Sequence, residues 1–239
     1  MIPTKAYILK IDTPLSTAYA KVCSDSCNKV GMPWTYYDGF QNQSGKMAFK
    51  KLNLEGVPHE DYKFIEKPTN AQKAMCASAG HYGIWKAISE GPDEAVVILE
   101  HDAIMVQPIT IPIPDHQMVV LGYKLADPSK YDHVKAGTPK DLVELQGHEG
   151  AHAYAITRNT AKYLLEELKK QGVRSAIDND YFIMKQRRTS VPICIMSPTP
   201  AVGWLRESTI WGKSATKNYS FIPSFQEKNK AITIEINKS

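Results

Sequence analysis

Residues 95–102 read Ala95-Val-Val-Ile-Leu-Glu-His-Asp102. An unbroken apolar run, rich in β-branched residues, is the pattern of a strand buried on both faces in a mostly parallel sheet. The run passes straight into two carboxylates at i and i+2, Glu100 and Asp102. In open α/β sheets, ligands gather beyond the carboxyl ends of the strands. The pair is therefore a candidate site for a divalent cation, Mn²⁺ or Mg²⁺, held through hard oxygen ligands. Such a cation would neutralise a diphosphate leaving group.

The flanking sequence alternates strand and helix. Ala6–Ile11 reads as a strand stopped by Asp12-Thr13-Pro14, and Leu15–Val30 as a loose helix ended by Gly31. Trp34–Tyr37 reads as a second strand, with Asp38-Gly39 as its turn. The polar stretch 40–68 reads as an insertion or lid. A helix capped by Thr69 or Asn70 follows, with Ala74, Ala77, His81, Ile84, Trp85 and Ile88 on one face and Gly91-Pro92 at its end. Gln117–Gly122 and His152–Ile156 read as further strands. The second leads into a helix around Ala161, Leu164, Leu165 and Leu168 that stops at Gly172. The pattern predicts one α/β domain over residues 1–239, a doubly wound, mostly parallel sheet with helices on both faces.

With 239 residues, 43% hydrophobic and 23% charged, wholesale disorder is excluded. No apolar run approaches the roughly 18 residues of a membrane span. The start, Met1–Lys5, has no basic and apolar export pattern, so the expectation is a cytoplasmic protein. Cys23, Cys27, Cys76 and Cys194 form no CxxC pair and are expected to be reduced and partly buried. Charge is uneven: residues 181–239 hold nine Lys/Arg against three Glu. This basic C-terminal part suits an anionic partner or a solvated face.

Several blocks resemble the family 25 glycosyltransferases, the lipopolysaccharide and collagen galactosyltransferase group. Cys76-Ala-Ser-Ala-Gly-His-Tyr-Gly-Ile-Trp85 is similar to their G-C-x-x-S-H-x-x-x-W, and Ile98-Leu-Glu-His-Asp-Ala103 to their I-L-E-D-D-A, with His101 at the middle Asp. Leu9–Asp12 resembles I-N-L-D, Tyr37–Gly39 the A-x-D-G turn, and Gly150–Thr157 the motif G-T-H-A-Y-x-I-S. Ala176-Ile-Asp178 resembles P-x-D.

The resemblance implies a GT-A fold, a nucleotide-sugar donor (a UDP-sugar first), a divalent metal on the acidic cluster, and inversion at the anomeric carbon. Asp102 would touch the metal directly. Glu100 would do so through water, or bind the donor ribose. His101 would occupy the turn or add a nitrogen ligand. Asp12, Tyr37 and Asp38 would line the donor base and ribose pocket, with His81 facing the donor. An inverting transferase needs a base for the acceptor hydroxyl; Asp178 fits the P-x-D match and Asp180 is the alternative. His152 and Tyr154 would shape the acceptor side, joined by Trp204 and Arg206. The expected acceptor is a surface glycan. A hydroxylated base in DNA is the alternative, drawn from the basic, aromatic-bearing tail, and a non-catalytic sugar- or nucleic-acid-binding module is a third class.

His148-Glu-Gly-Ala-His152 is also a literal H-E-x-x-H, the signature of zinc metalloproteases. That chemistry needs a helix, so that both histidines face one metal. Gly147 and Gly150 each cost about 1 kcal/mol in a helix interior, and the alternation from His152 onward favours a strand with a preceding loop.

Overall fold

Thr13 is the hinge between the first strand and the first helix. Strand β1 (Lys5–Lys10) stops shortly before it, and helix α1 (Pro14–Lys29) begins because the Thr13 hydroxyl accepts the Ser16 N–H. Pro14 stands at the helix start, where no amide donor is needed. Gly31, at φ +72°, ends the helix in a left-handed conformation that a side chain would resist. The computed structural model describes residues 1–54, 68–124, 138–148, 150–183 and 187–203.

The chain continues as β2 (Trp34–Asp38), α2 (Gly45–Lys51), α3 (Pro68–Glu90), β3 (Ala95–Glu100), β4 (Ala103–Met105), β5 (Met118–Val120) and β6 (Gly122–Lys124). It then forms β7 (Asp141–Leu145), β8 (Ala153–Thr157), α4 (Arg158–Gln171), β9 (Ile193–Ser197) and β10 (Ala201–Gly203). Seven strands form one sheet in the order β2-β1-β3-β8-β5-β9-β7, and β4-β10-β6 form a small second sheet. In the large sheet β1, β2, β3, β5 and β9 run one way, while β7 and β8 run against them.

Both faces of the large sheet are covered. Val97 and Leu99 of β3 pack with Ala20, Cys23 and Cys27 of α1, whereas Val96 and Ile98 join the core built on Trp85 and Ile88 of α3 and Leu164 of α4. The doubly covered sheet expected from the 95–99 run is what forms. All four cysteines are buried and unbonded to one another. Among the described residues no helix is long and apolar enough to cross a membrane.

Three local readings change. Residues 45–51, within the expected lid, form a helix capped by Ser44 that sends Ala48 and Phe49 into the core; residues 55–67 lie outside the described residues. Thr69 and Asn70, expected to cap the third helix, lie inside it, because the helix already starts at Pro68. The strand expected over Gln117–Gly122 divides between the two sheets. Gly122 permits this: a Cβ there would lie 2.4 Å from the Ala201 carbonyl oxygen, so only glycine lets the backbones of β6 and β10 approach.

The sense of β8 decides what stands beside Glu100. Its five residues are all buried, and a strand buried on both faces shows the same apolar run in either direction. Running against β3, it pairs Ala153 with Leu99, so its first residues meet the last residues of β3. The Glu100 N–H donates to the His152 carbonyl at 2.8 Å and closes the junction.

Candidate functional site

At this junction the chain leaves the sheet through Glu100-His101-Asp102 and re-enters structure in β4. Glu100 Oε2 lies 2.9 Å from His152 Nδ1, and Asp102 Oδ1 lies 3.9 Å from the same nitrogen. One ligand atom from each of Glu100, Asp102 and His152 falls within 4.8 Å of the others. The contacts do not satisfy the groups: Asp102 Oδ1 and both His152 ring nitrogens are buried without a hydrogen bond. The 2.9 Å approach of His152 to Glu100 thus brings a nitrogen and an oxygen together without hydrogen-bond geometry. Buried polar atoms left unpaired require an explanation, and two carboxylates with an imidazole converging on one point form a donor set for a divalent cation.

Charge at the cluster is favourable to a cation. Burial alone would raise the Glu100 carboxyl, but contacts with His152 and His81 outweigh it and hold Glu100 well below the usual range. The side chains of Glu100 and Asp102 keep 26% and 12% of their exposure, so the cluster opens to solvent while His152, at 6%, forms its inner wall. Gly203 lies against that wall: a Cβ there would stand 3.0 Å from the His152 ring, so glycine at the end of β10 leaves the imidazole its place.

The other expected residues separate into two groups. Asp12 follows the end of β1 and Asp38 is the last residue of β2, on the same edge as Glu100, since Leu9 pairs with Glu100 and Lys10 with Asp38. Both are exposed; Lys10 Nζ bridges Asp38 Oδ1 at 2.5 Å, and Gln41 donates to the Asp12 carbonyl at 2.8 Å. Tyr37 turns elsewhere. Its hydroxyl occupies the space over Gly83 of α3, 2.0 Å from where a Cβ would be, so its ring packs on that helix. The His101 ring lies parallel to Tyr19 of α1, with centroids 6.0 Å apart, in keeping with a turn position.

His81 and Tyr154, expected to face donor and acceptor, are both fully buried. They sit behind the cluster rather than on its open side: His81 Nε2 is 3.2 Å from Glu100 Oε1, and His81 Nδ1 is 3.0 Å from the Tyr154 hydroxyl. His152, expected on the acceptor side, stands instead with Glu100 and Asp102 in the cluster. The H-E-x-x-H pattern pairs His152 with His148 on a helix; its place beside Glu100 and Asp102 comes instead from the antiparallel pairing of β8 with β3.

Asp178 and Asp180 open a π-helical turn over Asp178–Phe182. Ser78 of α3, three residues before His81, accepts the N–H of Ile177, and Phe182 gives its carbonyl to the N–H of His148. The turn is thus tied to α3, which carries His81 behind the cluster, and to the loop that leads into His152. The two carboxylates differ. Asp178 is partly exposed and accepts the N–H of Asn179. Asp180 is buried, and its Oδ2 accepts the N–H groups of Arg174 and Ser175. Trp204 and Arg206 lie outside the described residues.

Burial pushes the Asp180 carboxyl above its ordinary 3.8, against the pull of those amides and of Arg188 and Arg174. A raised value in the folded chain gives a contribution to stability that is complete below pH 3.8 and is lost as pH rises through the folded value. Asp180→Asn keeps an acceptor for both amides and cannot ionise. Its stability relative to wild type is expected to improve between about pH 3.5 and about pH 7, read by urea unfolding at both. A pH-independent difference would mean that the carboxyl titrates alike in both states.

The H-E-x-x-H reading requires a helix that does not form. Residues 147, 148 and 150–152 form no helix; Glu149 lies outside the described residues. Gly150 has φ +90°, and His148 Nδ1 is 3.1 Å from the Gly150 carbonyl oxygen, whereas His152 turns to Glu100 and Asp102.

No protein-family model matches the sequence, and no curated protein matches it. Among solved structures, an active-site mutant of LgtC aligns at 9% identity over 98% of this chain and 95% of its own, with a TM-score of 0.50. The galactosyltransferase LgtC in complex with donor and acceptor sugar analogs aligns at 10% identity, covering 94% and 99%, with a TM-score of 0.45. GalNAc-T7 with UDP, GalNAc and Mn²⁺ aligns at 10% identity over 98% of this chain and 55% of its own, with a TM-score of 0.47. The fold is GT-A-like; activity has to be argued from the site.

Proposed function

We propose that this chain is a glycosyltransferase that moves a monosaccharide from a nucleotide diphosphate sugar to a hydroxyl acceptor, with inversion at the anomeric carbon. The observation that carries the reading is the convergence of Glu100, Asp102 and His152 at the carboxyl edge of the sheet, beside the ends of β1 and β2. The family 25 resemblance of residues 76–103 supports the same reading. Residues 1–239 would act as one glycosyltransferase domain, with 181–239 as its basic C-terminal part.

Glu100, Asp102 and His152 would hold the metal. An imidazole beside two carboxylates suits Mn²⁺ better than Mg²⁺, which favours oxygen and water. When bound, the ion supplies positive charge that stabilises the departing diphosphate. Asp12 and Asp38, exposed on the same edge, would accept hydrogen bonds from the donor ribose and base. Asp178, the solvent-reaching carboxylate of its turn, takes the acceptor hydroxyl proton as that oxygen bonds to the anomeric carbon and the bond to the diphosphate breaks. Asp180 holds the turn in shape.

The acceptor favoured is a glycan. Of the basic C-terminal part, Arg187 and Arg188 are described, and their guanidinium groups bind backbone carbonyls: Arg187 that of Val191, Arg188 those of Gln171 at 2.5 Å and Gly172 at 3.3 Å. They serve the end of α4 and the loop before β9 rather than a phosphate backbone. Incubation with a panel of nucleotide diphosphate sugars is expected to give release of nucleoside diphosphate from one donor class with Mn²⁺, and none with EDTA. Failure of every donor to turn over with any divalent metal would contradict the reading.

A further inference from the structure

Behind the cluster lies a fully buried string of polar groups that the transfer step does not use. Trp85 Nε1 donates to the Tyr154 hydroxyl at 2.9 Å, that hydroxyl lies 3.0 Å from His81 Nδ1, and His81 Nε2 lies 3.2 Å from Glu100 Oε1. Trp85, Tyr154 and His81 have no exposed surface, so water does not complete their hydrogen bonding.

The direction of this string follows from donor arithmetic. An indole N–H donates only, so the Tyr154 oxygen accepts from Trp85. The single hydroxyl proton then has His81 Nδ1 as its partner, and a buried hydroxyl proton without a partner would be costly. Nδ1 is therefore the acceptor and the ring proton resides on Nε2, where it is donated to Glu100 Oε1. The outcome is a directed chain from Trp85 through Tyr154 and His81 to Glu100.

We propose that Trp85, Tyr154 and His81 are positioning residues that fix the Glu100 carboxylate from behind, committing Oε1 to His81 and leaving Oε2 for the position shared with Asp102 and His152. This rests on the metal-site reading above. Outer hydrogen-bond partners of this kind orient ligands, and their loss typically weakens metal affinity about 10–100-fold. Tyr154 is the informative link, because Tyr154→Phe deletes one oxygen and keeps the ring that packs 5.2 Å from Phe182. Trp85→Phe leaves the Tyr154 hydroxyl free to donate to His81, so its effect should be the smaller.

The test joins nitrogen NMR of ¹⁵N-histidine-labelled, metal-free protein with Mn²⁺ titration. In wild type, His81 should show a single form with Nδ1 bare and a slowly exchanging proton on Nε2. Tyr154→Phe should speed that exchange and raise the Mn²⁺ dissociation constant about 10-fold or more, with a smaller rise for Trp85→Phe. A wild-type His81 carrying its proton on Nδ1, or a folded Tyr154→Phe variant with unchanged Mn²⁺ affinity, would overturn the proposal. Should Tyr154→Phe fail to fold, the wild-type protonation pattern and the Trp85→Phe titration still decide it. An absence of saturable Mn²⁺ binding in wild type would instead overturn the metal reading, and the metal-free NMR would still judge the chain of hydrogen bonds by itself.

Discussion

Asp102→Asn is expected to lower metal-dependent sugar transfer by about 10²–10³-fold while the protein stays folded. The substitution keeps the shape and removes the negative charge from the donor set. An ion lost or displaced forfeits several kcal/mol of charge stabilisation, and each decade of rate corresponds to about 1.4 kcal/mol. Stability should hold or rise, because Asp102 Oδ1 is buried with no hydrogen bond to lose. Sites that carry such groups commonly exchange stability for function. Steady-state kinetics with saturating donor, alongside a thermal melt, checks both halves. Wild-type turnover in Asp102→Asn would remove this residue from the site.

Asp178→Ala is expected to lower transfer by about 10²-fold or more with donor affinity nearly unchanged, since general base catalysis is worth about that much. Asp180→Ala should show the opposite balance. Its carboxylate accepts the N–H groups of Arg174 and Ser175 in a buried setting, and leaving buried donors unpaired costs about 1–3 kcal/mol of stability. Activity per folded molecule should fall far less than in Asp178→Ala. Paired transfer assays and urea unfolding curves separate the two effects. An indispensable Asp180 and a dispensable Asp178 would shift the P-x-D match by two residues.

The parts legible in the sequence are those whose signals are local. The run Ala95–Leu99 is apolar throughout because both faces are covered, and that pattern by itself puts Glu100 and Asp102 at the carboxyl end of a buried strand. Thr13, Gly31 and Gly172 likewise mark helix ends through short-range hydrogen bonds and backbone conformation. The place of His152 beside Glu100 and Asp102 was not legible. It depends on the direction of β8, which a strand buried on both faces does not encode, and on Gly203, which is far along the chain. His81 shows the converse limit. The residue was visible as part of a motif on the buried face of α3, but its partners Tyr154 and Glu100 come from other elements. Sequence type alone could not distinguish a histidine that meets a substrate from one that holds a carboxylate in place. Tyr37 misleads in the same way, because the absence of a Cβ at Gly83 is what draws its ring onto α3.

Electron paramagnetic resonance of Mn²⁺ titrated into the protein, with and without a nucleoside diphosphate, addresses the convergence of Glu100, Asp102 and His152 itself. One saturable Mn²⁺ site per chain is expected, tightened by the nucleoside diphosphate and lost in His152→Ala as well as in Asp102→Asn. Mn²⁺ binding that is absent, or equally tight in wild type and both variants, would contradict the assignment of these three residues as a metal site.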